Sequence, residues 1–420
     1  MLNPNFNLFK IIKRKIFPFY KNNEIKLIFS ILQKDFSKET ITARFVGGCV
    51  RKYISGEKID DIDIATILTT DQIKERFKNT DYKVVDTGVE HGTVTLFSKN
   101  FKIEITTLRK DVKTDGRHAE IEYTDDWRID SERRDFTINA IYLDINGKIF
   151  DPQMGVKDFE NNNIKFIGDP QKRIEEDYLR IIRFIRFKLM YNIEIEPAIL
   201  KMIKQNLDGI KKISKERIIL ELFKILDLKN FFKINENNQL KEIFTMIFPE
   251  FLYLNRLERL KKVYDFSQIN RDTLLAILLI DQKNNHDYFV HKYNVSNKIN
   301  KILKNLSSNY IEIEKNKNFL GKDLLKNIHF LGKSHLIALN LINFTVNKNT
   351  KLVDFNKTFK RILGSNVPKF HIDGDYLKKN GVKEGETLGK LLKVIENEWI
   401  KNNFKISNEK IKELIKENVN

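Results

Sequence analysis

Apolar residues recur at helical spacing over residues 24–37, where Ile25, Ile28, Phe29, Leu32 and Phe36 share one face and predict an amphipathic helix. The period then shortens. Residues 42–46 read as a strand ending in Gly47-Gly48, residues 50–55 as a helix and residues 62–64 as a second short strand. Residues 93–97 and 102–107 alternate apolar and polar positions, as strands do. Residues 140–143 and 148–150 predict a hairpin across Asn146-Gly147, a pair that favours a type I′ turn. No period holds between Arg109 and Trp127, so Arg109, Asp111, Asp115-Gly116-Arg117 and Asp125-Asp126 read as a polar linking loop with no core to enter. After Pro170 strand signals nearly vanish and helical periodicities run to the C-terminus, most clearly over residues 214–227 and 271–279. The pattern predicts an α+β chain, with a small sheet domain through about residue 165 and an all-helical remainder. Candidate boundaries are Gly168-Asp169-Pro170, the Asn-rich stretch 235–239 and Gly364, after which glycines 374, 381, 385 and 389 punctuate short helices.

Length and charge sharpen this picture. A chain of 420 residues suggests two or three domains. Its one cysteine, Cys49, excludes a disulfide framework and a cysteine-based zinc site. No apolar run approaches the ~18 residues of a membrane helix, and Lys13, Arg14 and Lys15 break the apolar N-terminus, which therefore does not read as a signal peptide. A cytoplasmic protein with no membrane partner is expected. The net charge of +18 is uneven. Residues 1–230 hold 42 Lys+Arg against 36 Asp+Glu, whereas residues 231–420 hold 33 against 21. A basic second half suits a polyanionic partner, although a Lys- and Asn-rich composition by itself produces a similar excess.

Two clusters carry chemistry. In Phe45-Val46-Gly47-Gly48-Cys49-Val50-Arg51 a strand ends in two glycines and opens a helix, so backbone N–H groups can approach phosphate oxygens while Arg51 neutralises them. Alone, such a turn is weak evidence. Ten residues on, Asp61 and Asp63 stand two apart in a strand and face one side. Paired carboxylates repel unless a cation lies between them. Mg2+ favours such oxygen ligands and completes its shell with water and substrate phosphate. Two metals held this way can activate an attacking hydroxyl and stabilise a leaving pyrophosphate in an in-line displacement.

The pair of motifs, Gly47-Gly48-Cys49-Val50-Arg51 with Asp61-Ile62-Asp63-Ile64-Ala65-Thr66, resembles the head signature of the class II nucleotidyltransferases. These are the tRNA CCA-adding enzymes and bacterial poly(A) polymerases of the DNA polymerase β superfamily. Three further blocks follow in the family's order. Arg133-Arg134-Asp135-Phe136-Thr137-Ile138-Asn139-Ala140 is similar to the ribose-selecting block, and Asp151-Pro152 through Gly155 and Asp158 to the block hinging head to neck. Arg173-Ile174-Glu175-Glu176-Asp177-Tyr178-Leu179-Arg180, continuing to Arg183, Arg186 and Phe187, resembles the neck motif that selects the base. Lys52 replaces the family's usual aspartate, and Met154-Gly155 its double glycine.

The resemblance implies a nucleotidyltransferase head over residues 1–165, a helical neck over 166–230, a tRNA-binding body over 231–363 and a tRNA-binding tail over 364–420. It implies Mg2+ on Asp61 and Asp63. It also implies nucleotide contacts from Gly48, Arg51, Arg134, Asp135, Asp177, Arg180, Arg183 and Arg186, with Arg134 and Asp135 on the ribose and Asp177 and Arg180 on the base. Read from spacing alone, Asp177 and the three arginines share one helix face and equally suit a ladder of surface ion pairs. Glu104 reads as a third carboxylate near the metal or as a solvent-facing strand residue. The loop 109–127 matches the segment that lets the family switch from adding C to adding A. His91 matches a family block as a structural residue, His286-Asp287 lacks further metal ligands, Cys49 reads as a small buried residue and Trp399 as core of the last helix. The implied activity is addition of CCA to tRNA from CTP and ATP. Poly(A) polymerase, partial CC- or A-addition and an idle RNA-binding protein are the alternatives.

Overall fold

The computed structural model describes residues 18–88, 92–98, 100–114, 119–263, 269–281 and 283–419. His91, Asp115-Gly116-Arg117 and the Lys13–Lys15 run lie outside the described residues. The chain divides into two compact units, one running to Phe251 and including Lys292–Asn294, the other holding Leu252–His291 and Val295–Asn420.

The first unit is built on a seven-stranded sheet. Its strands are β1 (Ala43–Val46), β2 (Ile62–Thr66), β3 (Lys83–Gly88), β4 (Thr93–Phe97), β5 (Lys102–Thr107), β8 (Tyr142–Leu143) and β9 (Ile149–Phe150), in the order β3-β4-β5-β2-β1-β8-β9. Only β2 and β5 run parallel. Alternation decides which residues enter the core: Ile62 and Ile64 are buried on either side of Asp63, and Ile103 and Ile105 on either side of Glu104. Helix α1 (Asn23–Gln33) starts where the Asn22 side chain accepts the Glu24 and Ile25 amides, and it buries Ile25, Ile28, Phe29 and Leu32. It stops short of the expected residue 37, because Lys34 leaves the helical region and Asp35 takes a positive φ of 69°. Phe36 is left at the surface beneath the Arg76 guanidinium.

Two other expectations change. The segment 109–127 contains a hairpin, β6 (Arg109–Thr114) and β7 (Ala119–Tyr123), forming a two-stranded sheet of its own. It is followed by the short helix α4 (Trp127–Glu132), which Asp126 caps. The turn between β8 and β9 is not type I′, since Gly147 takes a positive φ and Asn146 does not. Asp144 accepts the Gly147 amide through its carbonyl and the Asn146 and Lys148 amides through its carboxylate, which makes a one-residue-longer turn closed by a left-handed glycine.

The helical part of this unit comprises α5 (Gly155–Glu160), α6 (Pro170–Glu176), α7 (Leu179–Tyr191), α8 (Pro197–Gln205), α9 (Lys215–Leu226) and α10 (Asn238–Ile247). Gly155 is required by packing, as a Cβ there would fall 2.1 Å from the Thr137 carbonyl oxygen. The second unit is helical throughout its described residues. Helix α11 (Arg271–Leu279) is its most buried segment, with every residue from Thr273 to Leu279 inside. Against it pack α12 (Asn297–Lys315) and α13 (Lys333–Val346), and α14 (Leu352–Gly364) packs on α13. The C-terminal helices α15 (Gly374–Lys379), α16 (Glu386–Lys401) and α17 (Asn408–Val419) enclose a core of Leu377, Val382, Leu391, Ile395, Ile411, Leu414 and Ile415. Trp399 is buried on α16, one helix before the last, against Phe370 and Phe404.

Candidate active site

Strand β1 runs into helix α2 (Gly48–Ser55) through Gly47, whose φ of 71° and ψ of −125° suit a residue without a side chain. No side chain caps this helix, so its first N–H groups are left to an incoming group. The turn abuts the carboxylate of β2: a Cβ on Gly47 would lie 3.6 Å from Asp63 Oδ2, and one on Gly48 3.9 Å from it. Cys49 donates to the carbonyls of Val46 and Asp63, and burial pushes its thiol up to about 12. It therefore stays a structural thiol.

Asp61 sits just before β2 and is exposed, while Asp63 lies within the strand and is half-buried. Burial, followed by the charge of Glu104, pushes the Asp63 carboxyl above its usual range against the pull of Arg134 and Arg51. Glu104 is the register partner of Asp63 on the parallel strand β5, but it is half-exposed and pairs with Lys102 at 3.2 Å. Among the described residues no group of three or more His, Cys, Asp or Glu gathers as a metal cage. Two carboxylates, one of them short of compensating positive charge, nevertheless fit Mg2+, which binds through one or two carboxylates and fills its shell with water and phosphate.

Asp61 and Asp63 line one open cavity of ≈ 550 Å³ in the first unit, together with Gly48, Arg51, Arg134, Asp135, Asp177, Arg180, Arg183 and Arg186, whereas Glu104 is not among its lining residues. Arg51 donates to Asn139 and, at 3.3 Å, to the Tyr191 hydroxyl. Asn139 in turn donates to Asp135 at 2.6 Å, and Asp135 pairs with Arg183 at 2.8 Å. Burial opposes ionisation of Asp135, yet Arg183, Asn139 and the Phe136 amide hold its carboxyl below the usual range. Arg134 and Arg133 are clamped by one fully buried carboxylate, Asp130. Its Oδ2 accepts from Arg134 at 3.0 Å and from the Tyr142 hydroxyl at 2.7 Å, and its Oδ1 pairs with Arg133 at 2.7 Å. Despite burial, the two guanidinium groups keep Asp130 ionised far below the ordinary carboxylate range.

The neck residues do not share a single helix. Asp177 lies in extended backbone between α6 and α7, with Oδ1 accepting the Leu179 amide and Oδ2 paired with Arg217 at 2.7 Å. Arg180 opens α7 and donates to Glu176 and to the Arg173 carbonyl, both at 2.6 Å. Arg186 pairs with buried Glu221 of α9 at 2.8 Å. All four residues still face the cavity. Lys52 faces it too and pairs with Asp60 at 3.3 Å.

Asn139, Arg133, Asp111, Phe187 and Lys224 also line the cavity; the first four were named only as members of a block or of the linking loop, and Lys224 not at all. Asn139 lay within the ribose block already. Glu221 had a signal as well, being an acid on the apolar face of a helix, where a charge requires a partner.

Residues 43–165 match the model of the poly A polymerase head domain, and residues 192–254 that of the probable RNA and SrmB-binding site of polymerase A. Over 403 residues the chain is 33% identical to the mitochondrial CCA tRNA nucleotidyltransferase 1 of Homo sapiens, covering 91% of this chain and 88% of that protein. The chain belongs to the CCA tRNA nucleotidyltransferase family. A CCA-adding enzyme of Ligilactobacillus salivarius is 29% identical over 412 residues, covering 94% of this chain and 98% of that one. The crystal structure of the Bacillus stearothermophilus CCA-adding enzyme in complex with CTP matches with a TM-score of 0.69 over 94% of this chain and 98% of that one. At 22% identity that likeness speaks for the fold, and it agrees with the α+β reading. No helix among the described residues of this CCA tRNA nucleotidyltransferase family member is long and apolar enough to cross a membrane.

Proposed function

We propose that this chain adds CCA to the 3′ end of tRNA from CTP and ATP, releasing pyrophosphate, without a nucleic-acid template. One observation carries the reading: the glycine turn, the aspartate pair, the ribose block and the neck residues converge on one cavity. The uncapped start of α2 and Arg51 receive the triphosphate, as helix N-termini and guanidinium groups bind phosphate oxygens. Asp61 and Asp63 would hold Mg2+, which when bound polarises the reacting phosphate and offsets the charge of the leaving pyrophosphate. Arg134 and Asp135 address the ribose hydroxyls, and Arg183 and Arg186 hold the nucleotide in place.

Asp177 and Arg180 select the base. Cytosine and adenine each carry an exocyclic amino donor where uracil and guanine carry an oxo group. An ionised carboxylate only accepts hydrogen bonds and so favours the first two. Among the described residues each oxygen of Asp177 has one protein partner, which leaves acceptor capacity on both.

The same proposal assigns the head to residues 1–165, the neck to 166–230, and tRNA binding to the body over 231–363 and the tail over 364–420. It is supported by the basic excess after residue 230 and by the separate core of α15 to α17. The hairpin 109–123 takes the part of the segment that permits the step from C to A, and the protein works in the cytoplasm. Cell fractionation that finds it in an organelle would overturn the last point.

A tRNA lacking its CCA end, incubated with CTP alone, ATP alone and both, tests the activity. Growth by two residues with CTP and by three with both is expected. Long tails from ATP alone would instead mean a poly(A) polymerase, and arrest at two residues with both nucleotides a CC-adding enzyme.

A further inference from the structure

The cations that line the cavity are not held alike. Arg133 and Arg134 are clamped by Asp130, Arg183 by Asp135, and Arg186 and Lys224 by Glu221, all carboxylates with almost no exposed surface. Lys52 is held loosely. Its ammonium lies 3.3 Å from Oδ2 of Asp60, whose side chain is 54% exposed and is not among the lining residues. Lys58 already pairs with the other oxygen of Asp60 at 3.4 Å. Surface pairs of this kind contribute little. Lys52 can therefore leave Asp60 without stranding a charge.

Helix geometry says where the freed side chain reaches. Lys52 stands four residues after Gly48 in α2, so the two share a face, and helical side chains lean toward the N-terminus. Gly48 has no side chain to block that path, and the Arg51 guanidinium borders the same spot, 3.9 Å from where a Gly48 Cβ would lie. The flexible four-carbon stem of a lysine is long enough to cover the single turn, about 5.4 Å, back to the uncapped N–H groups. Asp60 adjoins Asp61, which sets the ammonium at the aspartate end of the cavity.

We propose that Lys52 binds the terminal phosphates of the incoming nucleotide and stays with the pyrophosphate that leaves. This rests on the reading of the α2 start and Arg51 as the seat of the triphosphate. Lys52 neither gives nor takes a proton. It acts as a point charge with three donors, which suits phosphate oxygens whose positions change as the leaving group departs. The family's usual pattern has aspartate at this position, so the charge is reversed in this chain.

The test uses the full-length protein. Equilibrium dialysis gives Kd for CTP, ATP, CMP and inorganic pyrophosphate, filter binding gives tRNA affinity, and the melting temperature is taken for every variant. Lys52→Met weakens binding of CTP, ATP and pyrophosphate on the order of tenfold, the size of one hydrogen bond to a charged group. It leaves CMP and tRNA binding near wild type. Lys52→Arg restores most of the loss by returning a cation. Asp60→Asn keeps wild-type CTP affinity, since Lys52 acts on the phosphates and not through Asp60. Wild-type CTP affinity in Lys52→Met, with affinity lost in Arg51→Met, overturns the proposal and leaves the triphosphate seat standing. Wild-type affinity in both variants overturns the seat and this proposal with it. A loss in Asp60→Asn as large as that in Lys52→Met overturns the proposal too, and makes Lys52 a strut for the segment before β2. Weaker tRNA binding with unchanged CTP binding in Lys52→Met does the same, and puts the lysine on a tRNA phosphate. Should Lys52→Met fail to fold, Lys52→Gln against Lys52→Arg decides by the same criteria.

Discussion

Around the cavity of the first unit, charge is enclosed and paired: Asp130 with two arginines, Arg183 with Asp135, Arg186 with Glu221. In the second unit the interior of α11 is apolar apart from Thr273, and ion pairs such as Lys390–Glu386 stand in solvent with side chains 72% and 83% exposed. The two regions use charge differently. An enclosed guanidinium fork is costly to desolvate but keeps one geometry, as planar recognition of a nucleotide demands. Hydrated lysines fix no geometry and contribute a field that salt screens, which suits a long polyanion.

Removing the metal carboxylates attacks this contrast hardest. Asp61→Ala or Asp63→Ala lowers nucleotide incorporation by more than the ~10²–10⁴-fold typical of one acid–base group, while filter binding of tRNA stays near normal. Both variants incorporating normally would end the metal assignment.

Next in size is the enclosed clamp. Asp130→Asn leaves Arg133 and Arg134 facing each other without their counter-ion, at a cost of about 3–5 kcal/mol, read by urea unfolding. The pH dependence has a definite sign. Asp130 and Asp135 titrate below their unfolded value, so their contribution is complete above that value and is lost as pH falls toward the native ones. Acid therefore destabilises the wild type more than the Asp130→Asn variant.

Surface charge responds to salt instead. The logarithm of tRNA affinity falls linearly with the logarithm of salt concentration, and neutralising a phosphate-contacting lysine of the second unit reduces the slope by just under ~1. Pooled neutralisation of exposed Lys357 and Lys360 on α14 that leaves the slope unchanged would take this helix out of the tRNA-binding surface.

The smallest effect concerns Asp63 alone. Its carboxyl lies above the ordinary 3.8 through burial first and Glu104 second, so its stability contribution is complete below that value and is lost as pH rises through the raised one. In metal-free protein at neutral pH, Asp63→Asn raises the melting temperature by roughly 2 °C while abolishing activity. Added Mg2+ narrows the gap by stabilising only the wild type.

The contrast also separates what could be read along the chain. The glycine turn and the Asp61–Asp63 pair are local, so they could be found by spacing, and both line the cavity, although Asp61 sits just before β2 and not within it. Helix 214–227 announced itself by period because it buries one continuous stripe, whereas 271–279 showed as an unbroken apolar run because it is buried almost all round. The hairpin β6–β7 escaped because its strands pair with each other outside the main sheet, and the polar run Arg109-Lys110-Asp111 carries no apolar alternation. The partner of Asp177 escaped for a different reason. Arg217 lies 40 residues away, and the ladder that spacing suggested within α7 is replaced by separate pairs reaching Glu176, Asp135, Glu221 and Arg217.

Strand β2 is the fourth of seven in its sheet, hydrogen-bonded to β5 on one side and β1 on the other. Backbone amides in such a position exchange with solvent deuterium only when much of the domain opens, whereas β3, β9 and the separate hairpin release theirs through local fluctuations. Asp63 thus rides on the strand expected to exchange most slowly, and Asp61 borders it. Peripheral segments can breathe around each incoming tRNA end while the reacting centre keeps its shape from one turnover to the next.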